Sequence, residues 1–156
     1  MSSKQVFREP DLADGETRIA RIVQSLDRVF HAVHTFSKRT HREFGVTGPQ
    51  IWALQTLAAG GVLTVSELAA HMFLHVSTIS VIVDRLEERG LVSRRRDARD
   101  RRVVRLTIRP RGRAILRVVP DPPRGKLARW LTRLPAPELE RIDRVVAELH
   151  RILEIE

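Results

Sequence analysis

His75-Val-Ser-Thr-Ile-Ser-Val-Ile-Val-Asp-Arg-Leu-Glu-Glu-Arg-Gly-Leu-Val92 is the stretch on which the fold turns. Ile79, Ile82, Val83 and Leu86 recur at steps of three and four, so the segment from His75 to Arg89 reads as a helix with one buried face. Its other face opens with the short hydroxyls of Ser77, Thr78 and Ser80, and Gly90 ends it, because glycine enters the left-handed conformation at little cost. Immediately upstream, Thr64-Val-Ser-Glu67 is a capping box, in which hydroxyl and carboxylate satisfy each other's backbone donors. Leu68, Ala69 and Met72 then form the buried side of a short helix, and Phe73-Leu74 is the turn between the two. A short helix, a tight turn and a second helix with small polar side chains outward make a helix-turn-helix arrangement, whose second helix fits a DNA major groove.

Downstream the period changes. Leu91-Val92-Ser93 enters a strand, Asp97 to Arg101 is a polar turn, and Arg102-Val-Val-Arg-Leu-Thr-Ile108 alternates like a second strand. A basic hairpin directly after such a helix is a wing. Pro110 and Gly112 start a further helix that Pro120, Pro122 and Pro123 interrupt. The last helix starts near Pro137 and carries Leu139, Ile142, Val145, Val146, Leu149, Ile152 and Leu153 on one stripe. Upstream, Thr47-Gly-Pro-Gln50 is another capping box, ahead of a helix through Ile51, Leu54 and Leu57 to Gly60-Gly61. From Glu16 to His41, Ile19, Ile22, Val23, Leu26, Val29, Phe30, Val33 and Phe36 draw a matching stripe.

The expected fold class is therefore mainly α with a small β wing. Its organisation is a loose arm over residues 1–15, then one domain over 16–156, with the winged module at about 47–109 and dimerisation helices at about 16–41 and 111–156. A compact winged module cannot cover two such long apolar stripes. They are expected to pack across a homodimer axis, with Leu26, Phe30, Leu149 and Leu153 in the interface.

The charge distribution supports a polyanion contact. Of a net +9, eight charges lie between Arg94 and Arg113, where ten arginines meet two aspartates. Codon usage is the plainer alternative for a chain in which most basic residues are Arg, but it would not put the excess in one segment. The absence of cysteine excludes disulfides and thiolate metal sites. The start has no apolar leader region and no run approaches the roughly 18 apolar residues of a membrane span, so a cytoplasmic protein without membrane contact is expected. A Gly-rich phosphate loop, a nucleophile elbow and a carboxylate-histidine cluster are all missing, so neither enzyme activity nor a cofactor is expected. His31 and His34, and His71 and His75, have helical spacing but no third ligand nearby, so no metal is expected.

The quoted helix, followed by Asp97-Ala-Arg-Asp-Arg-Arg102, resembles the MarR family of transcriptional regulators in its recognition helix and its D-x-R-D-x-R wing tip. The resemblance runs from about Glu16 to the C-terminus. It implies a triangular, mostly helical dimer whose two winged modules straddle an inverted repeat in double-stranded DNA. It also implies repression by promoter occupancy, released in many members by a small aromatic ligand. If such a pocket is kept here, Phe30, His34 and Trp52 are its lining candidates, with core packing as the alternative for Phe30 and Trp52. The resemblance also implies a pair, Asp84 with Arg102, that ties the recognition helix to the wing. Two departures stand out: Ile108-Arg109 replaces the Leu-Thr that commonly precedes the next helix, and Phe73 occupies a turn position where many members have Gly.

The DNA-contact candidates are His75, Val76, Ser77, Thr78, Ser80, Val81 and Arg85 on the helix, and Arg94, Arg95, Arg96, Arg99 and Arg101 on the wing. Each has a plainer alternative. Ser77 or Thr78 as a helix cap, Val76 and Val81 as helix surface, His75 as a turn residue, and any single arginine as a solvated charge are all consistent with the sequence. Asp97 and Asp100 are expected to neutralise neighbouring arginines and shape the turn. A non-specific DNA-binding or protein-binding winged-helix module is the competing function.

Overall fold

The computed structural model describes residues 10–97, 100 and 103–153. Arg99, Arg101 and Arg102 lie outside the described residues. The chain divides into two units, Met1–Val119 and Pro120–Glu156.

The first unit begins with α1 (Pro10–Phe44), which starts five residues before the end of the arm expected from the sequence. Proline at the first helical position forfeits no intrahelical bond, and Gly15 is simply carried inside the helix. Only the C-terminal part of α1 enters the core: Phe36 and Phe44 pack against it, and Thr40 is fully buried with its hydroxyl donating to the Phe36 carbonyl at 3.0 Å. The Ser37 hydroxyl accepts from the Gly48 N–H at 2.9 Å, which fixes the start of α2 (Gly48–Gly60) against α1. There the Thr47 N–H donates to Gln50 Oε1 at 2.9 Å, the reciprocal arm of a capping box.

A two-residue strand, β1 (Leu63–Thr64), leads into α3 (Val65–Met72) and α4 (Val76–Glu88). The hairpin that follows is β2 (Val92–Arg96) and β3 (Val104–Ile108). The sheet is antiparallel in the order β1-β3-β2, with Leu63 opposite Leu106, Val92 opposite Ile108 and Arg96 opposite Val104. The sequence predicted two strands. β1 is too short to show alternation, and it exists through its pairing with β3, where Leu63 stands beside Leu106 and both are buried.

Ile51, Leu54 and Leu57 of α2, Leu68 and Met72 of α3, and Ile79, Val83 and Leu86 of α4 are all buried in one core with Leu91, Val92 and Leu106. Ile82 is half-buried at its margin. α5 (Pro110–Val118) closes the core. A Cβ on Gly112 would lie 2.5 Å from the Leu91 carbonyl oxygen and 2.9 Å from Ile108 Cγ1, so only glycine permits this approach. Arg109 is the N-cap of α5 without a side-chain cap bond, and Pro110 takes the first helical position.

The second unit contains α6 (Pro123–Leu131) and α7 (Ala136–Leu153). α6 was not separately predicted. Pro122 is its N-cap and Pro123 presets φ at its first position, and an ion pair joins Asp121, just before the helix, to Arg129 in its last turn. No single helix among the described residues is long and apolar enough to cross a membrane.

Candidate nucleic-acid interface

α4 is held by its buried stripe, so its remaining faces are available. His75 is the N-cap residue in extended conformation, and its side chain makes no cap bond. Ser77 and Thr78 therefore sit inside the first turn, not at the cap, which removes capping as their role. Val76, Ser77, Thr78, Val81 and Arg85 are all exposed. Ser80 is half-buried and differs from its neighbours. Its hydroxyl donates back to the Val76 carbonyl at 2.9 Å and its own carbonyl accepts from Arg94 Nη2 at 3.2 Å.

The turn before α4 is unusual at one residue. Phe73 caps α3 in the left-handed conformation, φ 53° and ψ 40°, and is 85% exposed. Its N–H donates to the Ala70 carbonyl at 3.2 Å and the Leu74 N–H to the Ala69 carbonyl at 3.1 Å, so the turn keeps the bonding that glycine commonly supports. The residue order of the turn is thus compatible with Phe, at the conformational cost of a Cβ in this region.

The wing arginines separate by parity. Side chains on a strand alternate between faces, and Val92 points into the core. Arg94 therefore leans toward α4: its Nη2 lies 2.6 Å from Asp84 Oδ1 and its Nε 3.5 Å from Glu87 Oε2, while its backbone N–H donates to Glu87 Oε1 at 3.2 Å. Asp84 is thus occupied by Arg94. Arg95 points the other way and stands directly opposite Arg105, a like-charge pair across the ladder. Arg105 is neutralised by an ion pair with Asp97, which holds its guanidinium pKa above the ordinary value. Among the described residues no carboxylate lies within ion-pair distance of Arg85, Arg95 or Arg96, and all three are exposed.

The turn is built by its aspartates. The Asp97 N–H donates to the Val103 carbonyl at 2.9 Å, the Val103 N–H to the Asp100 carbonyl at 3.0 Å, and the Asp100 N–H to Asp97 Oδ1 at 3.2 Å. Elsewhere, Phe30 and His34 are exposed on α1, while Trp52 of α2 is half-buried against the core. Leu26 and Phe30 are 36% and 63% exposed, Leu153 of α7 is 76% exposed, and Leu149 is half-buried. Among the described residues no group of three or more His, Cys, Asp or Glu could hold a metal ion.

Sequence reasoning missed Arg94 as a structural residue by treating three consecutive arginines alike. The available signal was its spacing of two from the buried Val92. It also passed over Arg89, whose side chain reaches the end of α1.

Residues 44–103 match the model of the MarR family. The chain is 34% identical over 101 residues to the HTH-type transcriptional regulator YsmB of Bacillus subtilis, covering 65% of this chain and 69% of that protein. It is 29% identical over 130 residues to the HTH-type transcriptional repressor MdtR of the same organism, covering 83% and 84%. Among solved structures, the YusO protein from Bacillus subtilis is similar with a TM-score of 0.55 and 28% identity, over 87% of this chain and 96% of that one.

Proposed function

Because the chain belongs to the MarR family of winged helix-turn-helix transcriptional regulators, we propose that it acts as a homodimeric repressor reading an inverted repeat with α4 and gripping its flanks with the wing. It is a DNA-binding regulator and not an enzyme. The observation that carries the detailed reading is the division of polar groups around α4. Arg94, Asp84 and Glu87 are spent on one another, whereas Val76, Ser77, Thr78, Val81 and Arg85 are left exposed, as are Arg95 and Arg96, which have no carboxylate partner among the described residues. His75 at the helix N-terminus offers a phosphate contact. Arg99 and Arg101 of the wing tip join Arg95 and Arg96 as phosphate or minor-groove ligands, because a narrow A·T-rich groove concentrates negative potential.

Dimerisation is assigned to the exposed stripes at Leu26, Phe30, Leu149 and Leu153. A small aromatic ligand that releases DNA is assigned to Phe30 and His34 of α1 and Trp52 of α2. Selection from random duplexes tests the reading as a whole. The expected product is an inverted repeat with half-site centres about one helical turn apart, bound at least about 10³-fold more tightly than random DNA at fixed salt. Ser77→Leu should erase that preference while leaving weak, salt-sensitive binding. Recovery of no common sequence would favour a non-specific module instead.

A further inference from the structure

The residue that caps the C-terminus of the recognition helix is bonded to the end of α1 and the glycine after it. Arg89 is the C-cap of α4, and its guanidinium donates from Nη2 to the Phe44 carbonyl at 3.2 Å and from Nη1 to the Gly45 carbonyl. The Phe44 carbonyl ends a 35-residue helix and the Gly45 carbonyl follows it, where no intrahelical donor remains and the macrodipole is negative, so a cation there is doubly favoured. Gly45 makes the seat. Its φ of +69° favours glycine, and a Cβ there would fall on the Arg89 guanidinium, which would have to move. Two converging carbonyls suit the planar fork of arginine better than the single ammonium of lysine. Arg89 is half-buried and committed to the protein, so it is not a phosphate ligand.

We propose that Arg89 is a positioning residue that couples the recognition helix to the dimerisation helix and so sets which half-site spacing the dimer accepts. Besides the buried stripe that seats it in the core, α4 has two polar links to neighbouring elements. Arg94 fastens its side to the wing within the same module, whereas Arg89 fastens its end to the helix that carries Leu26 and Phe30. Of these two polar links, only the second runs directly to the helix assigned to the dimer, given the homodimer proposed above on which this inference rests.

The test uses the full chain on inverted repeats whose half-sites are moved one base pair closer or farther, and on an isolated half-site. Sedimentation of each protein runs in parallel. Wild type should favour one spacing by about ten-fold. Arg89→Ala should stay dimeric, bind the isolated half-site like wild type, and lose most of that preference. Arg89→Lys should keep part of it. Gly45→Ala, which displaces the guanidinium, should behave like Arg89→Ala. Retained preference in Arg89→Ala, or an equal loss on every duplex including the half-site, overturns the proposal. Should Arg89→Ala fail to fold, an unchanged preference in Arg89→Lys overturns it. A monomeric wild type would refute the homodimer itself, and with it this coupling.

Discussion

On β2, alternation decides what each arginine can touch, and the consequence is measurable. Arg94 is spent on Asp84 and Glu87, so Arg94→Ala should weaken operator binding without changing its salt slope, because no phosphate contact is lost. Arg95→Ala should instead flatten the log–log slope by about one per protomer. Asp84→Ala should be non-additive with Arg94→Ala by about 1 kcal/mol, since both break one contact, and binding titrations of the two single variants and the double variant settle it. Phe73 gives a stability prediction. A side chain in the left-handed region costs about 1–2 kcal/mol, and glycine gives back about 0.4–1 kcal/mol through the unfolded chain. Phe73 is too exposed to lose much packing, so Phe73→Gly should raise stability by about 0.5–1 kcal/mol in denaturant unfolding. Of the residue-scale readings, the exposed hydroxyls of Ser77 and Thr78 were legible because helical periodicity alone assigns faces. The Arg94–Asp84 ion pair was not, because three consecutive arginines look alike until the pleat of β2 gives each a side; the expected partner Arg102 lies outside the described residues.

At the level of elements, caps and punctuation were readable wherever the bonding is local. The box at Thr64 is complete: the Thr64 N–H donates to Glu67 Oε2 at 2.7 Å and the Glu67 N–H to Thr64 Oγ1 at 3.1 Å. The backbone bond from Thr64, reinforced by its hydroxyl, holds the Glu67 carboxyl below its ordinary pKa of 4.5. A depressed carboxyl stabilises the fold fully above the unfolded value, and that contribution disappears as pH falls through the lower folded value. The stability advantage of wild type over Glu67→Gln should therefore shrink below about pH 4.5 and hold constant above it, as read from denaturant midpoints across pH. Glutamine can still accept from Thr64, so the cap itself survives the change. What escaped the sequence was non-local or ambiguous. β1 exists through its pairing with β3, α6 hides among prolines that read as an interruption, and α1 runs back to Pro10 through residues without a sustained apolar period.

For the whole molecule, two features of the surface set the expected behaviour: the positive charge concentrated around the wing and the apolar stripe on α1. A charged group at the centre of that stripe should prevent association. Phe30→Asp is expected to sediment as a folded monomer at micromolar concentration and to lose about 10²-fold or more in operator affinity, because two linked half-site contacts become independent. The stripe was legible from its period, and so was the basic segment from its composition; the division into two units at Val119 was foreshadowed only by the prolines that follow it. The middle position of β3 reaches further, into how the chain is made. Leu63 meets Leu106 only after α3, α4 and the wing turn have all been synthesised between them. Such a distant closure forms slowly compared with helix pairing between neighbours. During translation, α3 and α4 can therefore pack together while β1 still waits with an open edge. The sheet that steadies the wing is completed only when β3 emerges and fills the place between strands made before it.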